Sequence, residues 1–184
     1  MGQPVSYRCL PEPVTRDAMP DMAFIDMDGV LARYDWGIYL PDGTGVPPYM
    51  REELHVFRDC RPDPVALSIL RAFVDAGVPS YILTGIRSDL PWVYYDKIYW
   101  LESHAPWFDP GRMIVAPGDK AQAAMAASKA GCITKKMLLL DDFNPNLWDW
   151  DRAGGCAVKY LNGVNSPGTS GLTEFDSRPW GPVP

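Results

Sequence analysis

The chain has 184 residues, 47% of them hydrophobic and 22% charged, with a formal net charge of −6. That length holds one domain with a full core, and the composition is ordinary for a globular protein. No apolar run is long enough for a membrane span, and the acidic balance argues against general affinity for a nucleic-acid backbone. An acidic protein can still bind phosphate where a divalent cation supplies the positive charge. Cys9, Cys60, Cys132 and Cys156 are widely spaced and form no CxxC. Zinc-site spacing is therefore absent, and reduced thiols in a cytoplasmic protein are expected.

Residues 1–20 are Pro-rich and polar, with no apolar h-region, and read as an irregular N-terminal arm rather than a secretory signal. The apolar run from Met22 to Ile25 reads as a short buried strand, continued over 22–27 and closed by Asp28-Gly29. Residues 32–61 are broken by Gly37, Pro41, Gly43, Gly45, Pro47 and Pro48, and they carry Tyr34, Trp36, Tyr39, Tyr49 and Phe57. This stretch reads as a loop anchored by its aromatics, or as a small lid whose aromatics can stack on a flat substrate.

Asp63-Pro64 has the form of an N-cap and a first helical Pro. Val65, Ile69 and Phe73, with Ala66, Leu70 and Val74, continue a helical stripe that Gly77 ends. Val78–Leu83 is the second predicted strand, followed by Thr84-Gly85. A second helix is predicted over Ser88–Ser103, with Ser88 as cap. Its buried side is read as Leu90, Val93/Tyr94, Ile98 and Leu101, with Lys97 and Trp100 on or near the edge. Arg112–Ala116 is a short strand, and Lys120–Ala130 is an Ala-rich helix ended by Gly131. Met137–Leu140 is a strand ending in Asp141-Asp142, Asn144–Arg152 a helix stopped by Gly154-Gly155, and Cys156–Tyr160 a last strand. Residues 163–184, rich in Gly and Pro, read as a tail. Alternating strands and helices over 21–162 imply an α/β fold: three α/β/α layers around a mainly parallel, Rossmann-like sheet.

Polar residues recur where these strands end. Asp26 and Asp28, Thr84-Gly85, and Asp141-Asp142 each follow an apolar strand, and Lys120 opens a helix. Each alone also fits a cap, a turn or a solvated charge. In a parallel sheet, however, all strand carboxyl ends lie on one edge, where ligands bind. Paired carboxylates supply hard oxygen ligands for Mg²⁺. A carboxylate can attack phosphorus to form an aspartyl-phosphate, and a second carboxylate can protonate the leaving oxygen and then activate water. A hydroxyl, a backbone N–H and a Lys can hold the phosphate oxygens.

The run Phe24-Ile25-Asp26-Met27-Asp28-Gly29-Val30-Leu31-Ala32 resembles motif I of the haloacid dehalogenase-like (HAD) phosphohydrolases. Ile82-Leu83-Thr84-Gly85 resembles motif II, Lys120 motif III, and Leu138-Leu139-Leu140-Asp141-Asp142 motif IV. The resemblance covers about Met22 to Gly163 and implies a HAD fold with a minimal cap over 32–61. It implies Asp26 as nucleophile and metal ligand, and Asp28 as general acid/base with its carbonyl on Mg²⁺. Thr84, the Gly85 amide and Lys120 would bind phosphate. Asp142 would bind the metal, with Asp141 supporting it or adding a ligand. Lys135 and Lys136 are rivals for the Lys120 role but precede a strand, at its far end from the site.

A narrower similarity is to the 5′(3′)-deoxyribonucleotidases and their bacterial and phage relatives. It rests on Asp26-Met27-Asp28-Gly29-Val30-Leu31-Ala32, on Lys97-x-x-Trp100-Leu101, on Asp141-Asp142-Phe143-Asn144-Pro145-Asn146-Leu147 and on Asn162-Gly163-Val164-Asn165. It implies that Lys97 reaches phosphate and that Tyr34 packs on a nucleotide base. The expected activity is Mg²⁺-dependent hydrolysis of a small phosphate ester, a (deoxy)nucleoside monophosphate first. A polynucleotide 3′-phosphatase, another small-molecule phosphatase and a non-catalytic binding module are the alternatives.

Overall fold

The computed structural model describes residues 19–34, 55–86, 90–163 and 170–178. The expected arm up to residue 18, the lid residues 35–54, the cap Ser88, and 164–169 and 179–184 of the expected tail lie outside the described residues.

Among the described residues six strands form one sheet: β1 (Met22–Ile25), β2 (Ser80–Thr84), β3 (Met113–Val115), β4 (Met137–Asp141), β5 (Cys156–Leu161) and β6 (Thr173–Asp176). Their order is β3-β2-β1-β4-β5-β6, and every pairing is parallel. Among the described residues four helices accompany them: α1 (Pro64–Asp75), α2 (Trp92–His104), α3 (Lys120–Ser128) and α4 (Asn144–Arg152). Short 3₁₀ turns lie at Val56–Asp59 and Pro110–Arg112. None of these helices is long and apolar enough to cross a membrane.

The period of two along each strand sorts the core into two layers. Ile25, Ile82, Leu140 and Tyr160 pack with Ala66 and Leu70 of α1 and Trp100 and Leu101 of α2. Phe24, Leu83, Leu139 and Ala157 pack on the opposite face with Ala121 and Ala124 of α3 and Leu147 and Trp150 of α4. The three-layer α/β/α arrangement follows, with β1 at the centre.

Local signals set most element ends. Asp63 caps α1, its carboxylate accepting from the Val65 and Ala66 amides, and Gly77 ends it at φ 74°. Asp119 caps α3 through the Ala121 and Gln122 amides. Three expectations need correction. First, α3 stops before Gly131: Lys129 adopts φ 56°, and the amides of Lys129 and Ala130 both donate back to the Met125 carbonyl. Second, α2 starts at Trp92, and its buried stripe is Val93, Asp96, Lys97, Trp100 and Leu101. Lys97 and Trp100 are thus core residues, not edge residues. The apolar pattern misplaced this face because two of its five buried positions are charged. Third, Thr173–Asp176 within the expected tail forms β6, stacking Phe175 on Tyr160 at 6.0 Å.

Candidate functional site

The expected polar residues gather at the carboxyl edge of the sheet in two linked groups. Asp26 directly follows β1, and its amide still donates to the Leu140 carbonyl of β4 at 2.9 Å. Asp141 closes β4, and Lys120 opens α3. The Lys120 ammonium bridges the two carboxylates, 2.8 Å from Asp26 and 2.7 Å from Asp141, and all three side chains are buried. Asp142 completes the group: ligand oxygens of Asp26, Asp141 and Asp142 lie within 4.8 Å of one another.

The second group is built on Lys97 of α2. Its ammonium contacts both carboxylate oxygens of Asp28 at 2.8 Å, the Thr84 hydroxyl at 2.6 Å and the Gly85 carbonyl at 2.8 Å. The Phe57 ring lies 4.9 Å from the same ammonium. Lys97 is 1% exposed, while the Asp28 side chain is 36% exposed, so Asp28 faces solvent from a buried anchor. Gly29 supports this placement. Its φ of 86° turns the chain so that its amide donates to the Ala32 carbonyl at 2.8 Å.

Electrostatics separate the two sides. Burial pushes the Asp26 carboxyl well above the ordinary carboxylate range. Asp141 adds to the rise, Lys120 opposes it, and Asp28 and Asp142 raise it further. Burial alone would lower the Lys120 ammonium, but Asp141 and Asp26 outweigh that and raise it, so it stays charged. Four carboxylates thus crowd a space served by two lysines. Asp141 is held from several directions: Phe143 N–H donates to Oδ1 at 2.8 Å, and Asn146 Nδ2 donates to Oδ2 at 3.0 Å. The all-oxygen donor set, with three carboxylates gathered around one ammonium, fits a hard divalent cation.

Other expected residues have different surroundings. Lys135 pairs with Asp151 at 2.9 Å and with the Gly155 carbonyl, at the amino edge of the sheet. Tyr34 is 6% exposed and stacks on Phe57 at 6.0 Å, inside the α1/α2 core. His55 bonds Asp96 at 2.7 Å, and Asp96 also accepts from Arg58.

Two groups of residues were not read as part of the site. Lys159 of β5 is buried and donates to the Asp142 carbonyl and to Asn144 Oδ1. A single Lys inside the apolar run Cys156–Leu161 was its visible signal. Asn162 donates to the Gly29 carbonyl at 2.9 Å and to Asp63 at 3.2 Å, and Tyr160 donates to Asp63 at 2.8 Å. These bonds tie the turn after Asp28 to α1 and β5, and nothing in the local sequence pattern announces them.

Neither protein-family models nor curated proteins match the chain. Solved structures do. A HAD family hydrolase from Deinococcus radiodurans R1, with bound phosphate and sodium, aligns at TM-score 0.58 and 14% identity over 86% of this chain and 91% of that one. A haloacid dehalogenase-like family hydrolase from Streptococcus pneumoniae aligns at TM-score 0.55 and 13% identity, covering 89% and 96%. A HAD-superfamily hydrolase from Ehrlichia chaffeensis aligns at TM-score 0.53 and 12% identity, covering 85% and 91%. With its parallel six-stranded sheet and these neighbours, the chain has the fold of the haloacid dehalogenase-like hydrolases.

Proposed function

We propose that the protein is a Mg²⁺-dependent phosphomonoesterase that works through an aspartyl-phosphate on Asp26, and that its substrate is a nucleoside monophosphate. The observation that carries this reading is the buried Asp26–Lys120–Asp141 bridge, with Asp142 beside it and Asp28 on the same strand end. The phosphate bound in the Deinococcus radiodurans structure supports a phosphate ligand for a fold of this kind. The segments similar to deoxyribonucleotidases support the nucleotide.

In this mechanism Asp26 and Asp142 would hold the cation through their carboxylates, with the Asp28 carbonyl, and Asp141 would support them or add a ligand. When bound, the cation cancels charge between the carboxylates and the anionic phosphate. An Asp26 oxygen attacks phosphorus in line with the ester oxygen. The P–O bond to the leaving group breaks, and Asp28, protonated once substrate has drawn Lys97 from it, gives that oxygen its proton. Asp28, now anionic, takes a proton from water as the water oxygen attacks the aspartyl-phosphate. Phosphate leaves, and Asp26 is regenerated with Asp28 again protonated.

Thr84, the Gly85 amide and Lys120 hold the phosphate oxygens through these steps. Lys97 holds Asp28 and Thr84 in register, and it reaches phosphate when substrate draws it from Asp28.

Phosphate release from a panel of esters, with and without Mg²⁺, tests the reading. The panel holds nucleoside 5′- and 3′-monophosphates, sugar phosphates and a 3′-phosphorylated oligonucleotide. Mg²⁺-dependent release that Asp26→Asn abolishes is the expected result, with nucleoside monophosphates preferred. Preference for the oligonucleotide would move the substrate to nucleic-acid ends. No release from any ester by folded, Mg²⁺-supplied protein would overturn the reading.

A further inference from the structure

Lys159 is the only charged residue in β5, and it is 1% exposed. Its register partner on β4 is Asp141. A buried ammonium is costly unless it is hydrogen-bonded. Here the partners are neutral oxygens: the main-chain carbonyl of Asp142, and Oδ1 of Asn144 at 2.7 Å. The first acceptor lies in the turn that leads from β4 into α4, and the second is on the first residue of α4. The carboxylate of Asp142 in that turn is one of the three that cluster within 4.8 Å. Lys159 therefore grips the peptide of a proposed cation ligand from beneath and ties it to the first residue of α4.

We propose that Lys159 is a positioning residue of the cation site, holding the Asp142–Asn144 turn so that the Asp142 carboxylate stays in reach of Asp26. The proposal rests on the metal-centre reading above. A purely electrostatic role predicts the opposite sign. A fixed ammonium beside the acidic cluster repels a divalent cation, so removing its charge would tighten binding. Removing a support loosens binding instead, because the ligand loses its orientation.

Mn²⁺ serves as the probe, with free Mn²⁺ measured by electron paramagnetic resonance during titration of chelator-treated protein. The proteins are wild type, Lys159→Met and Asn144→Ala, with circular dichroism to verify folding. Lys159→Met is expected to weaken Mn²⁺ binding by about tenfold or more. Asn144→Ala, which leaves the ammonium in place, is expected to weaken it less. Unchanged or tighter binding by folded Lys159→Met would overturn the proposal. If that variant does not fold, unchanged binding by Asn144→Ala would do so. Wild-type protein that binds no Mn²⁺ would remove the metal centre and this proposal with it, whereas wild-type binding with unchanged variants would remove this proposal alone.

Discussion

The two edges of the sheet use the same residue types to different ends. At the amino edge, Lys135 and Asp151 pair at 2.9 Å with side chains 69% and 44% exposed. At the carboxyl edge, Lys120 and Asp141 pair at 2.7 Å with side chains 7% and 0% exposed. The distances barely differ, and burial makes the contrast. Water screens the first pair, which contributes little. The second pair has lost its water, so each partner depends on the other. The amino edge is secured instead by packing: Trp150 is fully buried, donates to the Met137 carbonyl at 3.1 Å, and leaves no room for a side chain at residue 155.

The sharpest test of this contrast is Lys120→Met. It strands Asp26 and Asp141 in the interior, so destabilisation of about 3–5 kcal/mol is expected in urea unfolding. Phosphate release should fall by about 10²–10³-fold in the folded fraction. A stability loss close to that of a surface pair would erase the distinction between the edges.

Gly155→Ala probes the other edge. A Cβ there would sit 2.2 Å from Trp150 Nε1, so Trp150 must shift. Overpacking should cost about 1–3 kcal/mol in the same assay. Mn²⁺ affinity should stay at the wild-type value, and a change in it would mean that the two edges are mechanically coupled.

Titration is expected to have a smaller effect. The Asp26 carboxyl lies well above its ordinary range in the folded state, through burial first and Asp141 second. At low pH it is protonated in both folded and unfolded chains. As pH rises, the unfolded chain ionises first, so the folded state holds the extra proton. Asp26 therefore lowers stability progressively until pH passes the raised folded-state value. Melting curves of cation-free protein against pH should show this fall, and Asp26→Asn should flatten it. An identical slope in both proteins would contradict the assigned burial effect.

The smallest expected effect is that of Lys135→Met, which should change stability by no more than about 0.5 kcal/mol and leave phosphate release intact. A larger loss would show that the amino edge also depends on charge.

Much of the site was legible because its residues sit at chain positions that local rules already mark. Asp26 follows an apolar strand and Thr84 and Asp141 close theirs, and a parallel sheet brings those ends to one edge. Lys97 was legible as a chemical group but not as a buried one. Periodicity counts apolar residues, and the inner face of α2 carries Asp96 and Lys97. Both are tolerated there by partners that lie far off in sequence: Arg58 and His55 for Asp96, Asp28 and Thr84 for Lys97. Tyr34 shows the reverse case. The sequence shows an aromatic a few residues after Asp28, and only the structure shows its ring packed on Phe57 in the core.

The sequence by itself determined the α/β alternation, the cap at Asp63 and the acidic strand ends, because each depends on neighbours within a few residues. Only the tertiary structure decided that Lys120 bridges Asp26 and Asp141, that Lys97 joins Asp28 to Thr84, and that Lys159 reaches under Asp142. It also decided that Thr173–Asp176 joins the sheet beside β5. The physical reason is common to all four. A buried charge or an added strand is stable only where distant groups supply its hydrogen bonds, and chain order does not reveal which groups those are.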